Sequence, residues 1–155
     1  MIYTSLTEKA MKIAFEAHKG QVDKAGLPYF HHPLHLAEQF DGETPAIAEK
    51  LVTAALLHDV VEDTEWTFDG LREAGIPDDV VEAVKLLTHG KDVDYDAYIT
   101  AINENDIARK VKMADLRHNL DETRLREDNS VLPYDADKIA GRRERYKRAL
   151  SYLRG

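Results

Sequence analysis

Apolar residues in this chain recur at spacings of three and four, and no segment sustains an alternating pattern. A period near 3.6 marks one face of a helix, whereas a half-buried strand alternates with period two. The expectation is therefore an all-α fold. Ala10, Ile13, Ala14 and Ala17 mark a first helix, with Ser5 and Glu8 spaced as a capping box. Gly20 to Tyr29 reads as a polar loop, and Pro33 to Phe40 as a short helix. Thr44 followed by Pro45 opens a long helix that runs to His58, because proline suits the first helical position. Phe68 to Ala74 forms a short helix closed by Gly75, and Pro77 opens another that ends near Thr88. Tyr95 to Asn103, Ile107 to Leu125 behind an Asp106 cap, and a last helix from Asp135 or Asp137 to Leu153 complete the chain.

A chain of 155 residues without repeats, low-complexity tracts or long linkers reads as one domain, residues 1–155. The absence of cysteine excludes disulfides and thiolate ligands, so any metal must be held by His, Asp, Glu or water. A formal net charge of −8 argues against a nucleic-acid polymer or an anionic membrane as partner. No apolar run approaches the roughly 20 residues of a membrane span. Met1 to Ser5 lacks the basic and long apolar stretches of an export signal, so a cytoplasmic location is expected. The charge is uneven. Lys138, Arg142, Arg143, Arg145, Lys147, Arg148 and Arg154 stand against Glu144 alone, after an acidic stretch with Asp121, Glu122, Glu127, Asp128, Asp135 and Asp137. This is either a solvated helix face beside an acidic loop or a set of arginines facing a phosphorylated ligand. Oligomeric state is not encoded in any of these patterns.

Three segments concentrate groups that carry chemistry. In Ala54 to Thr64 an apolar run ends in His58-Asp59, and Glu62-Asp63 follow. Ile47, Leu51, Ala54 and Ala55 define a helix face that His58 continues. A lone buried histidine is ordinarily a satisfied core residue. Four ionisable groups at one helix end are different, because repulsion and desolvation destabilise the fold unless a cation or substrate compensates. In Val111 to Asn119, Asp115 falls on the apolar face of Ile107 and Val111, with Asn119 one turn on. Asp115 is either a structural partner of an arginine such as Arg117 or Arg124, or a metal ligand. In Gly26 to Pro33, tandem His31 and His32 precede a proline, which biases the backbone toward extended geometry. Successive side chains on extended backbone point apart, so one of the two histidines is the candidate ligand.

His, His-Asp and Asp make a mixed nitrogen and oxygen set that suits Mn²⁺, Fe²⁺, Zn²⁺ or Ni²⁺ with positions left open for water and substrate. Such an ion acidifies a bound water and polarises a phosphoryl oxygen.

Taken in order, Gly20-Gln21, Pro28-Tyr29-x-x-His32-Pro33, Ala54 to Thr64 and Lys112-x-x-Asp115-x-x-x-Asn119 resemble the HD-domain metal phosphohydrolases. More closely, they resemble the hydrolase domain of the RelA/SpoT-type alarmone enzymes and their small stand-alone relatives. The resemblance runs from His18 to about Tyr146. It implies a compact multi-helix HD-domain bundle that removes the 3′-diphosphate from guanosine 3′,5′-bis(diphosphate), a small nucleotide, with Mn²⁺ or another divalent transition metal. It implies His32, His58, Asp59 and Asp115 as metal ligands, and Glu62 and Asp63 as the catalytic pair that handles the attacking water. Lys24, Asn119, Arg142 and Tyr146 become substrate-binding residues by the same comparison. With the chain ending at Gly155, alarmone synthesis is not expected. One position departs from the family. Asp23 stands where an arginine usually packs on the guanine base. The competing expectations are an HD phosphohydrolase for another nucleotide or phosphorylated metabolite, and a non-catalytic nucleotide-binding regulatory domain.

Overall fold

A computed structural model describes residues 1–121, 123–124 and 133–155. Its helices are α1 (Ser5–Ala17), α2 (His31–Ala37), α3 (Pro45–Leu57), α4 (Val60–Asp63), α5 (Phe68–Glu73), α6 (Asp78–Leu87), α7 (Tyr95–Asn103), α8 (Asp106–Leu120) and α9 (Pro133–Arg154), with a 3₁₀ turn at Glu38–Phe40 after α2. Among the described residues the extended structure is limited to an isolated bridge between Val22 and Pro28. The fold is all-α, as the periodicity requires. Among the described residues no helix is long and apolar enough to cross a membrane.

Capping chemistry sets several boundaries. Thr4, not Ser5, caps α1. Its hydroxyl accepts the Thr7 amide at 3.2 Å, and the Thr4 amide donates to the Thr7 hydroxyl at 2.8 Å. The reciprocal pair therefore uses threonine at both ends, one residue earlier than the Ser5/Glu8 spacing suggests. Asn105, rather than Asp106, caps α8 through the Ala108 amide. That helix ends at Leu120; the expected end at Leu125 lies outside the described residues, as do Glu122, Glu127 and Asp128. Gly75, at φ +94°, turns the chain sharply after α5.

The helix α3 occupies the centre and packs against α1, α2, α6 and α8. Every residue from Leu51 to Leu57 is buried, and Thr53 satisfies its hydroxyl on the Glu49 carbonyl at 2.6 Å. The one-sided face expected from Ile47 to His58 is thus replaced by burial all round, and Ile47 itself is 46% exposed. The terminal helix α9 closes the bundle against α7 and α8.

Candidate active site

Three elements deliver the buried polar groups. His58 ends α3. Its ring Nδ1 donates to the Ala55 carbonyl at 2.7 Å, while the backbone amide reaches the same oxygen at 3.5 Å. The side chain competes for the carbonyl that would continue the helix, and the chain breaks at Asp59 (φ −108°, ψ 0°) before α4 resumes. The helix expected to run to His58 thus ends at Leu57 with His58 as its C-cap, Glu62-Asp63 lie on the separate α4, and the His-Asp pair sits at the joint.

The tandem histidines also sit differently from expectation. His31 and His32 lie in the first turn of α2, so the extended backbone expected before Pro33 does not form. Pro33 is accommodated because amides of a first helical turn lack intrahelical partners. On a helix, adjacent side chains diverge by about 100°. His32 turns inward, 3% exposed. His31 turns to the surface and meets Asp23 at 2.8 Å.

From α8, Asp115 meets both histidines, with Oδ1 2.9 Å from His32 Nε2 and 3.8 Å from His58 Nε2. Single donor atoms of His32, His58 and Asp115 all lie within 4.8 Å of one another. Asp59 Oδ2 lies 3.0 Å from His58 Nε2 and accepts a short hydrogen bond from the Tyr29 hydroxyl. Although two carboxylates are close, His58 Nε2 is buried without an aligned hydrogen-bond partner. With its proton on Nδ1, that nitrogen presents a lone pair to two anionic oxygens. The arrangement is repulsive unless positive charge stands among them. A divalent cation fits this requirement and this donor set.

Electrostatics point the same way. Burial opposes charge on His58, but the nearby Asp59 carboxylate, helped by Asp115, pushes the imidazole up to about 9. Burial likewise disfavours an ionised Asp59, yet the charge of His58, with the Tyr29 hydrogen bond, holds the carboxyl down at about 2. Asp115 finds its ion-pair partner in Lys112, at 2.7 Å, and not in Arg117 or Arg124. Burial opposes its ionisation, but Lys112 and the His32 hydrogen bond keep it well below the usual carboxylate range. Lys112 also stands 5.3 Å from the centroid of the Tyr98 ring.

These groups face a cavity of about 770 Å³ that Lys24, Glu62, Asn119, Arg142 and Tyr146 also line. Glu62 is fixed by its Oε1, which accepts the His89 amide at 2.7 Å. Asp63 is not among the lining residues. Its carboxyl is raised to about 6 by burial and by Asp59 and Glu62, against the opposing charge of His58. Asn119 is engaged on both sides, donating to Asp115 Oδ1 at 2.9 Å and accepting from Arg124 at 3.3 Å. Arg142 and Tyr146 reach the cavity from α9, where the Arg145 guanidinium stands 4.3 Å from the Tyr95 ring centroid. Asp23 is bound into its own loop: Oδ1 accepts the Ala25 and Leu27 amides at 2.9 and 3.0 Å, and Oδ2 meets His31.

Sequence reasoning missed Tyr29, Lys112 and His118 as partners of the site. His118 Nδ1 lies 2.7 Å from His32 Nδ1. The Tyr29 and Lys112 positions stand inside the quoted motifs, so proximity in sequence to a candidate ligand was the available signal.

Comparison with known proteins places this geometry among relatives. Residues 10–122 match the family described as HD domain. The zebrafish (Danio rerio) guanosine-3′,5′-bis(diphosphate) 3′-pyrophosphohydrolase MESH1 is 32% identical over 124 residues, covering 76% of this chain and 68% of that protein. The Haemophilus influenzae enzyme named guanosine-3′,5′-bis(diphosphate) 3′-pyrophosphohydrolase is 33% identical over 118 residues, 70% of this chain. The chain spans 17% of that protein and 7% of the chloroplastic protein named as the GTP diphosphokinase RSH1 of Arabidopsis thaliana, to which it is 45% identical over 67 residues. A solved structure described as a metazoan ortholog of SpoT that hydrolyzes ppGpp superposes with a TM-score of 0.76, covering 100% of this chain and 89% of that one. At 23% identity, this likeness speaks for the fold. By its sequence match over most of its length, the chain belongs to the HD-domain family.

Proposed function

We propose that this chain is a metal-dependent phosphohydrolase that removes the 3′-diphosphate from guanosine 3′,5′-bis(diphosphate). The observation that carries the reading is the convergence of His32, His58 and Asp115 at the floor of a cavity that Glu62 and several cations also line. The names of the zebrafish and Haemophilus relatives supply the substrate. His32, His58, Asp59 and Asp115 would hold the ion, with Mn²⁺ as the preferred metal. When bound, it supplies Lewis-acid activation of water and of a phosphoryl oxygen. Glu62, which lines the cavity with one carboxylate oxygen anchored on the His89 amide, takes the proton of the attacking water. Asp63 supports it electrostatically from beside the wall. Lys24 and Arg142 neutralise phosphate charge, Tyr146 lies against the nucleotide, and Asn119 reaches substrate from beside Asp115. The setting is a small soluble nucleotide in the cytoplasm, handled by a single domain over residues 1–155.

A second reading has its own support. Asp23 is an anion held by two amides and His31, and it replaces the planar cation on which a base could stack. That favours relaxed base preference and, as the alternative, another phosphorylated nucleotide. Product analysis with added Mn²⁺ decides. Pyrophosphate released from the guanosine alarmone is expected, with metal content and turnover lost in His58→Ala. Inorganic phosphate from simple nucleoside monophosphates, without pyrophosphate from the alarmone, would establish the second reading instead.

A further inference from the structure

With Nε2 of His32 turned toward Asp115, its second nitrogen faces another histidine. Nδ1 of His32 lies 2.7 Å from Nδ1 of His118. The ring planes are 7° from parallel with centroids 4.9 Å apart. That is the geometry of two rings joined edge to edge in a common plane, not of a face-to-face stack. His118 is fixed from another side, stacked on His35 at 4.0 Å and 20°, and it is 7% exposed. Because α8 places His118 three residues after Asp115, one helix supplies both a carboxylate facing Nε2 of His32 and a nitrogen facing Nδ1.

Two nitrogens this close share one proton, and which ring donates matters. If His118 donates, His32 carries its own proton on Nε2 and points it at Asp115. If His32 donates, Nε2 is a bare lone pair. Only the second arrangement can ligate a cation. In it, the proton of His118 sits on Nε2, and a small polar cavity of about 100 Å³ lined by Gln39, Asp121 and His118 itself lies beside the ring.

Resting on the reading of His32 as a metal ligand, we propose that His118 is a positioning residue that holds His32 in its ligating tautomer by accepting the Nδ1 proton. Ligating histidines characteristically donate their other ring proton to a carboxylate, carbonyl or water, and loss of such a partner weakens metal binding. Here a neutral imidazole performs that task.

Calorimetric titration with Mn²⁺ tests it on the unmodified protein, His118→Leu and His118→Asn. Leucine fills similar space without an acceptor, whereas asparagine keeps an oxygen near His32 Nδ1. Affinity should fall about 10–100-fold in the leucine variant and return close to the unmodified value with asparagine. Melting in EDTA separates this from a packing role, which would lower the apo melting temperature and leave Mn²⁺ affinity alone. Equal affinity in all three proteins, or equal loss in both variants, overturns the proposal. If the unmodified protein binds no divalent ion, the metal reading itself fails. Should the leucine variant not fold, ¹⁵N spectroscopy of the Zn²⁺-loaded unmodified protein decides. A protonated His32 Nδ1 coupled across the hydrogen bond to His118 supports the assignment, and a bare Nδ1 overturns it.

Discussion

The floor and the wall of the cavity are built on different terms. On the floor, His32, His58 and Asp115 are 3%, 3% and 6% exposed and come from three packed helices. Each has a dedicated partner: His118 for His32, the Ala55 carbonyl for His58, Lys112 and Asn119 for Asp115, and Tyr29 for neighbouring Asp59. The wall is drawn from the loop before α2, the loop around His89 and the outer helix α9, and its charged residues are exposed or half-buried. A floor residue cannot change without stranding a buried partner. A wall residue can be redirected, as Asp23 is toward His31, with no disturbance of the floor. Under the proposed function, the metal ligands are thus tied to the core, while substrate choice is left to segments that tolerate change.

The contrast is broken or sharpened by four experiments. The largest effect is expected for Glu62→Gln, which should retain Mn²⁺ binding yet lose about 10²–10⁴-fold in turnover, the usual worth of a proton-transfer group. Single-turnover kinetics with saturating metal measures it, and a near-normal rate would remove Glu62 from the chemistry. Asp115→Ala strikes the floor itself by leaving Lys112 without its partner at a site where both side chains are at most 13% exposed. Breaking such a pair costs about 3–5 kcal/mol, readable by denaturant unfolding in EDTA; a loss below 1 kcal/mol, well under that range, would mean the pair is not structural.

Smaller shifts are expected at the wall. Asp23→Ala removes the hydrogen bonds that shape the loop carrying Lys24, each worth about 1 kcal/mol. KM should rise several-fold at constant kcat, and a change in kcat without KM would contradict the separation of wall from floor. The smallest effect concerns Asp63. An unfolded aspartate titrates near 3.8 and folded Asp63 near 6, so the folded chain holds this proton more tightly. The associated stabilisation is complete below the unfolded value and is lost as the pH rises through 6. Asp63→Asn carries no repelled charge above that point. In EDTA it should therefore be more stable than the unmodified protein at pH 8, by on the order of 0.5–1 kcal/mol after solvent screening of this exposed side chain. The advantage should vanish in acid. A constant offset at every pH would assign the effect to something other than this proton.

Local patterns carried the helices whose ends are made by local chemistry. Tyr95–Asn103 begins and ends as the spacing requires, and Thr44-Pro45 opens α3 as cap and first residue. Where tertiary packing decides, the pattern misled. The bias of a residue before proline yielded at His32 because the first turn of α2 tolerates Pro33. The face read from Ile47 described one side of a helix whose second half, Leu51 to Leu57, the fold encloses on every side. The four ligand candidates were legible as clusters of acids and imidazoles beside apolar runs. Their partners were not, since His118 and Tyr29 acquire meaning only across sequence separations of 86 and 30. The orientation of Asp23 depended in the same way on a surface histidine eight positions later.

The enclosure of α3 also bears on how a centre at its end is lost. Amides from Leu51 to Leu57, sealed on every side, exchange with solvent only when the domain opens as a whole. Fraying of an edge therefore gives no shortcut to His58. An ion held there would raise the melting point of the entire domain by mass action, and a chelator would lower it. Heat, or a weakening substitution elsewhere in the bundle, would remove the fold and the centre in a single transition.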